Sequence, residues 1–398
     1  MVRTAKSAPY LGNVGLVVYI LGLAIFAIGT SELMVAGMMT TLSETFNITI
    51  GEVGHLISYF AFGVMVGGPI LTYIFLKLKV PYRPTLLALL GAYVVVQGFS
   101  AFINDHSTLV AIRVITGVLC AGCLSLSLAT SMALVESEKR PQAAAIVIGG
   151  FMISNVFGVP LATIINEQWG WRISFGLVAI LVLICFIALI RMLPAPENKG
   201  EGVKMAEEMV AFKTPAYWKA CLTSCLILGA SFAAFSYFVP ILSNVTGFSM
   251  QVIPLILVLY GTANVVGTMI TSRFAYRHSL AIMVTGLSVL SVALIGMALL
   301  VHFKWFAIFF IVLIGLAGLP MNPAIMARIV SVSHPGPMVN AVHTSVINIG
   351  LGGGSYLGGM AISAGYSYRS ALWIGAVLAL VGLLSVLPYL RRGKLGWG

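Results

Sequence analysis

The stretch Phe26-Ala-Ile-Gly-Thr-Ser-Glu-Leu-Met-Val-Ala-Gly37 sets one carboxylate, Glu32, in the middle of the first long apolar run. A helix of about 20 apolar residues crosses a bilayer, so this run reads as a membrane span with a charge near its centre. On insertion scales such a charge costs roughly 2.5–3.5 kcal/mol, and residues that bear the cost usually face a polar interior and work there. Glu32 is the only acidic residue within any membrane-length run. Its only embedded basic counterpart is read as Arg113, in Leu109-Val-Ala-Ile-Arg-Val-Ile-Thr-Gly117. The rest of the chain is read as scaffolding around these two groups.

Composition supports that reading. The 398 residues are 60% hydrophobic and only 8% charged, with a mean hydropathy of +1.04. Soluble domains are about a quarter charged, so the chain is expected to be an all-α polytopic membrane protein. The N-terminal Met1 to Asn13 carries Arg3 and Lys6 without a small-residue cleavage pattern, so the first run is read as a retained helix.

Apolar runs occupy 12–38, 53–76, 84–103, 108–134, 142–166 and 172–193, then 216–242, 251–272, 279–302, 305–330, 338–364 and 370–390. Twelve transmembrane helices in two pseudo-symmetric six-helix bundles are therefore expected, over residues 1–193 and 216–398, with a linker at 194–215. Within the linker, 194–202 reads as a flexible loop and 204–212 as a short interfacial helix. Gly68-Pro-Ile-Leu-Thr72 is echoed by Gly267-Thr-Met-Ile-Thr271, and Gly150 and Gly158 by Gly350 and Gly358, all at an offset near 200. Such an echo suggests a duplicated unit, with substrate between the halves near mid-membrane.

The net charge of +11 suggests nucleic acid, but its distribution argues against that partner. All 11 acidic residues lie at or before Glu208. Of the 22 basic residues, eighteen gather on one side of the expected topology: Arg3, Lys6, Lys77, Lys79, Arg83, Lys139, Arg140, Arg191, Lys199, Lys204, Lys213, Lys219, Arg273, Arg277, Arg328, Arg391, Arg392 and Lys394. Arg172, Lys304 and Arg369 lie opposite. The positive-inside rule then places both termini and the linker in the cytoplasm. The five cysteines all fall in apolar runs without a loop cluster of His or Cys, so they read as packing residues.

Glu32 is a candidate proton carrier, because desolvation penalises an ionised carboxyl. The Arg113 guanidinium keeps its proton and needs acceptors. It either competes with a proton for Glu32 or ties helix ends together through backbone carbonyls. Gly149-Gly150 and Asn155 to Thr163, with Gly158 and Pro160, suit a hinge or close packing. Pro320, Asn322 and Pro323 mark a broken helix of the kind that lines transporter sites. His343 and Asn348, Ser236 and Tyr237, Asn264, and the aromatic Phe232 and Phe235 complete a candidate lining for a small organic molecule. Nucleotide-binding, zincin and nucleophile-elbow motifs do not occur. Neither cofactor nor enzyme activity is therefore expected, a proton serving as the coupling ion.

Four stretches resemble the drug:proton antiporters of the major facilitator superfamily, particularly bacterial sugar-efflux, purine-efflux and chloramphenicol-resistance exporters. They are Ile28 to Gly37, Gly54 to Pro69, Arg113-x-x-x-Gly117, and Gly158-Val-Pro-Leu-Ala-Thr163 together with Trp169 to Phe175. Thr72 stands near the family's usual Asp, Thr116 where Gln is frequent, and Thr163-Ile164 where a small pair often closes the fifth-helix motif. The resemblance implies a rocker-switch fold and proton-driven export from the bacterial inner membrane. It assigns coupling to Glu32 and Arg113, with Thr30, Ser31, Thr116 and Asn155 near the substrate. A monomer in contact with membrane lipid and a small-molecule substrate is expected. Uptake by symport or facilitation is the same-class alternative; a membrane enzyme or sensor would need a catalytic cluster.

Overall fold

Thr49 starts one helix in the manner its sequence dictates. Its side chain accepts the Glu52 amide at 3.2 Å, and the Glu52 carboxylate accepts the Thr49 amide at 2.7 Å, a reciprocal cap. The computed structural model describes residues 11–194, 205–333 and 336–393. The expectations for Arg3, Lys6, Lys199, Lys204 and Lys394, and for the loop after Pro194, lie outside the described residues.

The first half comprises α1 (Leu11–Leu33), α2 (Met39–Phe46), α3 (Ile50–Leu78), α4 (Tyr82–Phe99), α5 (His106–Ala133), α6 (Arg140–Ile153), α7 (Val159–Trp169) and α8 (Trp171–Met192). A short α9 (Met205–Ala211) follows. The second half comprises α10 (Pro215–Phe235), α11 (Phe238–Asn244), α12 (Ile253–Leu300), α13 (Lys304–Ala317), α14 (Asn322–Val332), α15 (Pro337–Ser363) and α16 (Arg369–Gly393). Among the described residues ten helical segments are long and apolar enough to cross a membrane. Large apolar side chains such as Phe62, Val95, Ile184, Leu255 and Leu384 cover the outside. Only lipid as solvent makes that surface favourable, and the chain is a multi-pass membrane protein.

The two expected runs, 251–272 and 279–302, are both helical and meet at a kink within α12. The 48 residues of α12 would span about 72 Å if straight, more than twice a hydrocarbon core of ~30 Å. The helix breaks direction at His278, where φ is −131° and ψ 33°. The run 338–364 lies in the 27-residue α15, which is not among the ten apolar segments. Asn340, His343, Thr344 and Asn348 lower its hydropathy, and it packs between α3 and α10.

Glycines bring the helix backbones together. Gly150 of α6 lies on the Gly22 carbonyl of α1. Correspondingly, Gly350 and Gly354 of α15 lie on the carbonyls of Cys225 and Gly229 in α10. A methyl group at any of these glycines would collide with backbone, so the echo at an offset of 200 is a repeated helix contact.

Two sequence-based expectations are corrected. Arg328 is not a loop residue: it is buried in α14, with its guanidinium 4.5 Å from the Tyr389 ring centre. The segment before α10 does more than lie on a membrane surface. Glu208 of α9 is buried and accepts the amides of Met338 and Val339 at 2.8 and 3.0 Å. Those are orphan donors in the first turn of α15, which begins with Pro337. Gly336 leaves room for the carboxylate. Glu208→Ala should cost about 1–2 kcal/mol of stability and speed hydrogen exchange at the Met338 and Val339 amides, as read by mass spectrometry.

Candidate functional site: a central cavity open on one face

α1 stops being α-helical at Leu33 and passes into a 3-10 turn, Met34–Gly37, at the end of the first membrane-length segment, Gly15–Gly37. A helix end leaves carbonyls without intrahelical donors, and there is no water in the lipid to satisfy them. Arg113 supplies the donors. From α5 its Nη1 donates to the Ser31 carbonyl at 2.8 Å and its Nη2 to the Glu32 carbonyl at 2.8 Å. Its Nε donates to the Leu56 carbonyl of α3 at 3.3 Å, and the Phe60 ring centre lies 4.4 Å away. The side chain is 0% exposed. Of the two readings of Arg113, the tie through backbone carbonyls is the one found. An ion pair joins Lys139 to Glu136, but none joins Glu32 to Arg113 in this state.

The Glu32 side chain lines the inner end of a cavity of about 560 Å³ between the two halves. Walls come from α3 (Val64, Gly68, Thr72), α5 (Cys120, Leu124, Leu128, Met132), α14 (Asn322) and α15 (Asn340, Thr344, Asn348). The cavity runs toward the face on which α9 lies, reaching Gly336 and Pro337 at the start of α15. A smaller recess of about 270 Å³ adjoins it there, with Lys79 in its lining.

The far face is sealed. Thr49 and Ser363 hydroxyls meet at 2.8 Å, and Ser355 donates to the Gly54 carbonyl at 3.1 Å. Tyr237 donates to the Ser355 carbonyl at 2.7 Å, and Ser58 to the Gly352 carbonyl at 2.8 Å. Gly51 faces the Gly359 carbonyl with no space for a side chain. The state is therefore accessible from one face only.

Of the residues singled out from sequence, Glu32, Asn155, Phe232, Asn322 and Asn348 line the cavity. The others lie outside its lining. Thr30 bonds the Phe26 carbonyl at 2.9 Å and packs on Gly158; Ser31 donates to Gln97 of α4 at 2.9 Å. Thr116 bonds the carbonyls of Ile112 and Arg113 at 2.9 and 3.0 Å. Phe235 stacks on Tyr260 at 5.1 Å, and Asn264 donates to the Tyr260 carbonyl at 3.1 Å. Ser236 is buried at the end of α10, and Tyr237 serves the far-face seal. His343 meets the Ser224 hydroxyl at 3.0 Å, between α15 and α10. Pro160 follows a π-helical turn, Ser154–Gly158, while Pro320 lies within the 3-10 break Leu319–Met321 between α13 and α14, and Pro323 in the first turn of α14.

Sequence reasoning missed Cys120, Phe151, Asn340 and Thr344 in the lining. Asn340, Thr344 and Asn348 recur every four residues, a helical stripe that counting along α15 would have exposed. The cysteines are free.

Arg113→Lys keeps a cation yet cannot reach three carbonyls with a planar fork. Losing one bond to a charged donor costs about 1.5–3 kcal/mol. A matching drop in stability, with faster exchange at 33–37, is the expected result in detergent melts and hydrogen-exchange mass spectrometry.

Comparison with known proteins bears on this geometry. The chain is 27% identical over 375 residues to a chloramphenicol resistance protein of Streptomyces lividans, covering 93% of this chain and 95% of the other. It is 29% identical over 373 residues to the inner membrane transport protein YdhP of Escherichia coli, covering 94% and 95%. Among solved structures, a bacterial homologue of the human lysosomal transporter Spinster, in an inward-facing and occupied conformation, superposes with a TM-score of 0.74 at 15% identity. That match covers 97% of this chain and 98% of the other. The nucleoside transporter NupG also gives a TM-score of 0.74, at 12% identity over 94% and 99%. The Major Facilitator Superfamily profile matches residues 21–336, and the chain belongs to that family as a membrane transporter.

Proposed function

We propose that the protein exports a small organic molecule across the bacterial inner membrane in exchange for protons. The observation that carries this reading is the position of Glu32. Among the described residues its carboxyl is the only one lining the cavity, and no Lys, Arg or His lines it. A lone carboxyl in a low-dielectric cavity resists ionisation unless a partner or water reaches it. Substrate and proton can then be exclusive occupants of one site, which is the minimum an exchanger requires. The broken α13–α14 pair and the seam of α3 on α15 supply elements that can change packing when that charge changes.

The excess of basic residues on the α9 face supports a cytoplasmic assignment for it under the positive-inside rule. In that orientation the cavity takes its cargo from the cytoplasm. The relative that confers chloramphenicol resistance is of a kind with export, and makes chloramphenicol a reasonable first probe.

In proteoliposomes with an imposed pH gradient, the wild type should drive chloramphenicol movement against the proton flow. Glu32→Gln should abolish the gradient-driven component, by 100-fold or more, while exchange of labelled for unlabelled compound continues. Unchanged gradient-driven transport in Glu32→Gln would refute proton coupling through this residue. Movement with the proton flow would instead establish uptake by symport.

A further inference from the structure

Two walls of the cavity differ in chemistry along matching helical stripes. On α5, Cys120, Leu124, Leu128 and Met132 recur every four residues and face the cavity as an apolar strip. On α15, Asn340, Thr344 and Asn348 recur at the same spacing, with Asn322 of α14 beside them. Among the described residues no side-chain hydrogen bond is made by Asn340, Thr344 or Asn322. Asn348 donates to the Thr344 carbonyl at 2.9 Å, and its Oδ1 has no donor although the side chain is only 7% exposed. Buried acceptors in native structures are almost always paired, so an unpaired one on a cavity-lining side chain is an acceptor that a ligand donor can satisfy.

Charge narrows the class. Arg113 is spent on carbonyls and His343 on Ser224, both outside the lining. Lys79 borders only the recess at the open face. An anion carried to the depth of Asn348 would meet the Glu32 carboxyl and no cationic side chain in the described lining with which to pair. A ligand with one apolar face and several hydroxyl or amide donors meets both walls.

We infer that Asn340, Thr344 and Asn348 form a hydrogen-bonding ladder that selects uncharged, hydroxyl- or amide-bearing amphiphiles, held against the Leu124–Leu128–Met132 strip. The inference rests on the transport reading above for its biological setting, but binding alone tests it. The Asn348 Oδ1 is itself covered, so a ligand hydroxyl reaches it after rotation of the amide. A cavity of about 560 Å³ is in the range that encloses small organic ligands.

The full-length protein in detergent, with no gradient, would be titrated with two matched pairs: chloramphenicol against its hemisuccinate, and uridine against uridine monophosphate. Thermal shift and isothermal calorimetry give the readouts. At least one neutral member should bind, with its anionic partner weakened by 10-fold or more. Thr344→Val and Asn348→Leu should each raise the Kd of the bound neutral compound by about 10-fold, the loss of one buried hydrogen bond. Thr344→Ser, which keeps the hydroxyl, should bind like the wild type and controls for folding. Equal binding of anionic and neutral partners, unchanged affinity in both ladder variants, or no binding of either neutral compound would each overturn the assignment. Failure of Glu32→Gln to lose coupling would leave this binding result standing, so the two readings fail separately.

Discussion

The grip of Arg113 on the broken end of α1 is the contact on which the rest depends. A helix end buried among other helices leaves carbonyls that need donors from the protein. Arg113 reaches two of them, at Ser31 and Glu32, and a third on α3 at Leu56. Three helices are thereby tied at one depth. The arrangement also settles the electrostatics of the cavity, because the only base at that depth is committed to backbone. Glu32 is left facing the cavity without a salt bridge, as the proposed site of the coupling proton.

Around that node, glycine and small polar residues decide which face is open. The α3–α15 seam is closest where Gly51 meets Gly359 and where Thr49 meets Ser363. Farther along, Ser345 bonds the Met65 carbonyl at 2.7 Å, and the same two helices line the cavity at Gly68, Thr72, Asn340 and Thr344. Backbone contacts of this type need no side chain to reorganise, so a helix pair can separate or close as a unit. The Gly150 and Gly350 contacts lie within the halves, whereas the α3–α15 seam lies between them.

Much of this was legible in the sequence. Apolar length gave the membrane-spanning helices, and the cost of burying a carboxyl singled out Glu32 before any geometry was known. The prolines flanking Asn322 marked the broken helix that does line the cavity. Serine and threonine were misleading, because in helices their hydroxyls turn back to the preceding carbonyls. Thr30 and Thr116 do this and leave the lining, while Ser31 turns to Gln97 of α4. The His278 bend falls between the runs ending at 272 and starting at 279, where Arg273 and Arg277 interrupt the apolar pattern, though that pattern does not show that α12 resumes directly beyond it. Nor does local sequence show that Glu208 reaches 130 residues along the chain to cap α15, or that Arg328 is buried against Tyr389. Both depend on neighbours distant in sequence.

Proton release on ligand binding tests the central claim most directly. Chloramphenicol would be added to the purified protein in weakly buffered detergent near neutral pH, and the change in proton concentration recorded per bound ligand. If Glu32 alone exchanges its proton for cargo, the wild type releases up to about one proton for each ligand and Glu32→Gln, still binding, releases none. Equal release from the two proteins, or binding to the wild type without release at any pH between 6 and 8, would contradict the account.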